Sequence, residues 1–213
     1  AARQPSSKLG LYKSDRLTFG EAILAIVTKS ANDVASAVAE SLGGTERKFA
    51  LSMTAKAREI GMTRTTFRNA SGLPHRGQLS TAKDMATLAT RLLRDFPQHY
   101  HYFSTKSFAH NGLTHKNHNE LLKTYHGADG IKTGYIRASG FNLVASVERD
   151  GQRLIGVVFG GRTSRARNKH MAKLLDKGFE KLGTTHTDVA VKAKKSKKAR
   201  DRKLAKLQWG VQV

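Results

Sequence analysis

Lys132-Thr133-Gly134 lies downstream of Ser30-Ala31-Asn32, and together they offer an ammonium, two hydroxyls and a carboxamide. These are the groups of serine acyl transfer, in which a hydroxyl attacks a carbonyl, a base moves the proton and fixed donors hold the developing oxyanion. Such enzymes gather three short elements in one cleft: S-x-x-K, S-x-N or S-D-N, and K-T-G. No S-x-x-K stands ahead of Ser30, so the relay and binding elements are present without the usual nucleophile. Either element alone is weak. Serine and asparagine often cap helix junctions, and K-T-G is an ordinary strand end. Their joint occurrence is informative only if a helix junction and a strand face each other across a cleft between layers.

The surrounding pattern supplies those elements. Thr18-Phe-Gly-Glu21 has capping-box spacing and leads into an apolar run to Val27, which predicts a helix ending just before Ser30. A second helix is expected over Asp33–Leu42, stopped by Gly43-Gly44. A third starts at Thr45 with Phe49, Met53, Ala57 and Ile60 on one face. Met85, Leu88 and Leu92 mark an amphipathic helix ending near Pro97, with Ser80 or Thr81 as its cap. The period then changes. Gly140 to Glu148 alternates like a strand, Asp150-Gly151 offers a hairpin turn into Leu154–Phe159, and Lys132-Thr133-Gly134 falls on a neighbouring strand. A helix with Met171, Leu174, Leu175 and Phe179 closes an α/β layered domain.

A length of 213 residues with 38% hydrophobic content suits one domain with a real core, and no apolar run is long enough to cross a bilayer. The absence of cysteine excludes disulfides and thiolate metal sites. A net charge of +22 raises nucleic acid first, but nine basic residues crowd between Lys192 and Lys206, a stretch that reads as a solvated linker. Cell-wall polyanions or lipid head groups would attract it as well as DNA would.

Val27-Thr-Lys-Ser-Ala-Asn-Asp33, Gly61-Met-Thr-Arg-Thr-Thr-Phe67, Asn69-Ala-Ser-Gly-Leu73, Leu79-Ser-Thr-Ala-Lys-Asp84 and Asp129-Gly-Ile-Lys-Thr-Gly-Tyr135 resemble the low-molecular-mass penicillin-binding proteins that act as serine-type D-alanyl-D-alanine carboxypeptidases. The likeness runs from Ala1 to about Leu182. It implies a β-lactamase/transpeptidase-like α/β fold with an antiparallel sheet packed against helices, incomplete at its N-terminus because the S-x-x-K segment precedes Ala1. It also implies a periplasmic location, peptidoglycan stem peptides ending in D-Ala-D-Ala as substrate, acylation by β-lactams and no cofactor. By the same likeness Ser30 relays a proton to the leaving amine, and Asn32 bonds the substrate amide or the catalytic lysine. Lys132 supplies positive potential, Thr133 donates to the substrate carboxylate, Gly134 admits the peptide and the Tyr135 N–H forms half of the oxyanion hole.

Several features compete. Ser80-Thr-Ala-Lys83 satisfies S-x-x-K but follows Ser30, so Ser80 reads as a helix cap. Arg167 is a candidate second cation for the carboxylate, although Arg162 and Arg165 are equally basic and a solvated arginine is the commoner outcome. His99-x-His101, in an aromatic strand-like segment, and His115-x-x-His118 have no carboxylates arranged around them, so no metal is expected. Residues 1–189 form the partial catalytic domain and 190–206 the linker. Residues 207–213 are either a frayed tail or the start of a peptidoglycan-binding SPOR module that would contact glycan strands. The rival functions are a peptidoglycan-binding protein without chemistry and a basic nucleic-acid-binding protein; no specific nucleic-acid partner is expected.

Overall fold

The computed structural model describes residues 1–183; the basic linker, the terminal hexapeptide and the boundary at 189 lie outside the described residues. Thr18 opens helix α1 (Phe19–Leu24) with the expected capping box, its hydroxyl accepting the Glu21 N–H while Glu21 accepts the Thr18 N–H. The helix then widens into a π-turn over Ala25–Lys29 and ends at Ser30, whose N–H reaches back to the Ala25 carbonyl. Helix α2 (Asn32–Gly43) is one residue longer at each end than its pattern predicts. Helix α3 (Glu46–Glu59) is capped by Thr45.

Helix α4 (Ala82–Asp95) corrects one assignment. Thr81 is its cap, accepting the Asp84 N–H at 3.1 Å. It stands three residues before the amide that needs an acceptor, and Ser80 does not. The Ser80 hydroxyl instead shares a 3.0 Å bond with that of Thr65. The segment holding His99 and His101 is also corrected, from strand to a 3-10 helix over Pro97–Ser104, with proline at its start where a missing N–H costs nothing. A hairpin of β1 (Ser107–His110) and β2 (Leu113–Lys116) follows, then the short helix α5 (Leu121–Thr124). Neither was expected. The hairpin turns on Asn111-Gly112 at φ 48° and 73°, the left-handed pair that Asn-Gly accommodates best.

Strands β3 (Ala128–Ile136), β4 (Gly140–Arg149) and β5 (Gln152–Gly161) form one antiparallel sheet in sequence order, with Asp150-Gly151 turning the predicted hairpin. Side chains alternate along the central strand. Leu143, Ala145 and Val147 pack with Met171, Leu175 and Phe179 of helix α6 (Ser164–Lys181), while Val144 joins Ala89 of α4 and Ile131 on the other face. Gly156 makes the first contact close, because a β-carbon there would run into the Met171 sulfur. A third cluster, Ala22, Ala25, Ala31 and Val34 with Phe108 of β1, belongs to the helical layer. The site forms where that layer meets β3.

Candidate active site

Ser30 is the hinge of the site. It sits at φ 56°, ψ 45°, a left-handed conformation that an L-residue adopts at a cost, and this aims its hydroxyl out of the helical layer. Lys132, in the middle of β3, reaches across the cleft and donates from Nζ to Ser30 Oγ, joining residues 102 positions apart. A second bond runs from Nζ to the Thr133 carbonyl at 2.9 Å. Loss of hydration, with the Arg167 charge adding to it, pushes the Lys132 pKa down to about 8. A lysine so placed exchanges a proton with a hydroxyl far more readily than an exposed one.

Arg167 corrects the expectation of a solvated surface residue. It is 3% exposed, its Nη1 donates to the Asn142 carbonyl at 3.0 Å, and Nε and Nη2 donate to Asn168 Oδ1 at 3.1 and 2.8 Å. Gly161 makes room for it, since a β-carbon there would stand 2.8 Å from that of Arg167. Arg162 and Arg165, its equals in sequence, are exposed.

Thr133 is half-buried beside Lys132, and Gly134 is exposed on the strand. Tyr135 is 58% exposed and leans its ring on Phe141 at 4.4 Å between centroids. Backbone groups of residues two apart point the same way in an antiparallel strand. The Tyr135 N–H therefore shares the side on which the Thr133 carbonyl meets the Lys132 ammonium. β3 is an edge of the described sheet, so one flank of this segment has no strand partner.

Asn32 stands close to Ser30 in sequence, but its hydrogen bonds do not go to Lys132. Its carboxamide donates to the Pro5 carbonyl at 3.0 Å, while its own N–H bonds the Ser7 carbonyl at 2.9 Å. Both hold the N-terminal segment against the start of α2.

Other residues have no role in the sequence reading. Asp33, fully buried, accepts the N–H groups of Leu9, Gly10 and Leu11 at 2.9, 2.7 and 3.0 Å. Burial works against its charge, but these bonds prevail and hold its pKa below the ordinary value. Asn119, also buried, donates to the Gly130 carbonyl at 3.1 Å and steadies the strand two residues before Lys132. His118 lies within the influence of Lys132 and Lys29. Desolvation first, then those two charges, lower its pKa. The position of Asp33 straight after the S-x-N element is the signal that could have found it.

A profile of peptidase family S11, D-alanyl-D-alanine carboxypeptidase, matches residues 1–163. The chain belongs to this family. Among its relatives, the D-alanyl-D-alanine carboxypeptidase DacC of Escherichia coli is 37% identical over 179 residues, which cover 84% of this chain and 45% of DacC. Penicillin-binding protein 5 of Haemophilus influenzae superposes with a TM-score of 0.79 at 34% identity, over 82% of this chain and 52% of that one. Penicillin-binding protein D2 of Listeria monocytogenes, solved in an ampicillin-bound form, gives a TM-score of 0.76 at 31% identity, over 83% and 74%. The chain spans about half the length of the carboxypeptidase relatives it matches. Family and fold agree with the resemblance drawn from the motifs: an α/β penicillin-binding fold with an antiparallel sheet packed against helices.

Proposed function

We propose that this chain supplies the proton-relay and carboxylate-binding side of a serine-type D-alanyl-D-alanine carboxypeptidase acting on peptidoglycan stem peptides in the periplasm. The observation that carries the reading is the hydrogen bond from Lys132 to Ser30 between layers so distant in sequence. In this reading the peptide lies along the open edge of β3, Thr133 and the charges of Lys132 and Arg167 receive its terminal carboxylate, and Gly134 leaves the strand uncovered. The attacking serine belongs to an S-x-x-K segment outside these 213 residues. Attack on the carbonyl between the two D-alanines, with the serine proton passing to the lysine of that S-x-x-K segment, forms a tetrahedral oxyanion that the Tyr135 N–H stabilises. The C–N bond then breaks, Ser30 gives its proton to the departing amine, and Lys132 restores it. Water hydrolyses the acyl-enzyme. A β-lactam enters by the same route and stops at the acyl stage.

The test uses a protein in which this chain is joined to such a segment. Lys132→Ala should slow acylation by a labelled penicillin and release of D-alanine by about 10²–10³-fold, the usual cost of losing one electrostatic group aimed at a transition state. Arginine at 132 should rescue only in part, because its planar fork directs donors differently. Mass spectrometry should map the adduct to the S-x-x-K serine and leave Ser80 unmodified. Undiminished acylation by Lys132→Ala would remove this residue from the mechanism.

A further inference from the structure

Helix α6 packs on the sheet through Arg167, Met171, Leu175 and Phe179, buried residues that recur every four positions. Four residues overshoot one helical turn, so the packed stripe winds slowly around the helix and follows the twist of the sheet beneath it. Arg165, Lys169, Lys173, Lys177 and Lys181 recur at the same interval, two positions out of step. That offset is about 200° of rotation. The two stripes wind together, and the five cations stay on the outward ridge for about 24 Å, one every ~6 Å.

All five are exposed. None forms an ion pair with another described residue, although Asp176 and Glu180 share the helix. Asp176 is engaged elsewhere, by the Tyr125 hydroxyl at 2.6 Å. Like charges four residues apart repel, and Arg165 sits at the helix end where the macrodipole is positive. Lys181 in the last turn meets the negative end, so it is the repulsion along the stripe that works against the helix that displays it. Arg162, just ahead of the helix, is exposed as well.

We propose that the α6 ridge binds a flexible linear polyanion that carries phosphates but no bases, of the polyol-phosphate kind. The cation spacing suits one anionic group per extended repeat, and a flexible polymer can track a winding ridge. An anionic bilayer is a poorer match, because the apolar face of α6 is spent on the sheet and leaves only Leu174 and the C-capping Leu182 exposed, too little to insert. Single-stranded nucleic acid is also poorer: four of the five cations are lysines, and the ridge carries no exposed Phe, Tyr or Trp on which a base could stack. This surface is distinct from the cleft and does not depend on its chemistry.

The experiment titrates the whole 213-residue chain with a labelled poly(glycerol phosphate) oligomer across a salt series, keeping the basic stretch Lys192–Lys206 in every variant. Lys169→Gln/Lys173→Gln/Lys177→Gln should reduce the slope of log affinity against log salt by about 2, taking ~0.7 per phosphate contact. The same charge change at exposed Lys13, Lys48 and Lys83 should leave the slope nearly unchanged. Equal loss in the two triple variants, or no loss in the ridge variant, overturns the proposal. So does a larger effect of the ridge variant on an oligonucleotide of equal charge, or on vesicles of anionic phospholipid, than on the polymer.

Discussion

Ser30 places a side chain with a β-carbon in a backbone region that favours glycine, and its hydroxyl is what the position retains. Ser30→Gly and Ser30→Ala both remove that hydroxyl and differ mainly in the β-carbon. The glycine variant should be the more stable by about 0.5–1 kcal/mol, the left-handed penalty less the extra chain entropy that glycine loses. Urea midpoints check this, and equal stability would mean that the backbone at 30 is relaxed. Lys132 has a pH signature of its own. Its folded pKa of about 8 lies below the ordinary 10.5, so between those values the unfolded chain binds more protons and stability rises with pH. Relative to Lys132→Met, the wild type should gain up to about 3 kcal/mol across that window. A flat difference would show that Lys132 keeps its usual pKa. Ser30 and Lys132 were legible in the sequence because short motifs carried them. Arg167 was not separable from Arg162 and Arg165, since only the space at Gly161 decides which arginine is buried. The contact of Asn32 with Pro5 depends on how the N-terminal segment folds back, which no spacing reveals.

At the scale of elements, the clamp of Asp33 on three successive amides ties the N-terminal segment to α2 beside Ser30. Its depressed pKa marks stability that is present above the unfolded value near 3.8 and lost as pH falls through the folded one. Asp33→Asn should cost about 2 kcal/mol, in line with hydrogen bonds to a buried charge. Amide exchange at Leu9–Leu11 should accelerate more than exchange in the sheet, and uniform acceleration would show that the clamp is not local. The long helices and β4–β5 were readable from period and turn chemistry. The β1–β2 hairpin is not legible from period because its arms, Ser-Phe-Ala-His and Leu-Thr-His-Lys, lack apolar alternation, although Asn111-Gly112 marks the turn. The π-turn was hidden for another reason: its apolar residues fit an ordinary helix, and only the tertiary demand on Ser30 selects the wider turn.

Across the whole molecule, the described core falls into clusters on either side of the sheet and a separate one in the helical layer, with the Ser30–Lys132 contact spanning the two layers. The α6 side should be the most protected unit. Gly156→Ala, which drives a β-carbon into the Met171 sulfur, should cost about 1–3 kcal/mol through overpacking. In a Met171→Ala background the cost of Gly156→Ala should shrink, as thermal melts of both single variants and the double variant would show. An undiminished cost would mean that the glycine serves its backbone and not the approach of α6. Among the described residues β3 has no strand partner on one flank, and an unpaired strand edge accepts any extended backbone that fits. A second copy of this chain offers such a backbone. That pairing is opposed at low ionic strength by mutual repulsion from a net charge of +22, and screening by salt weakens the opposition, so self-association through this edge should rise with ionic strength.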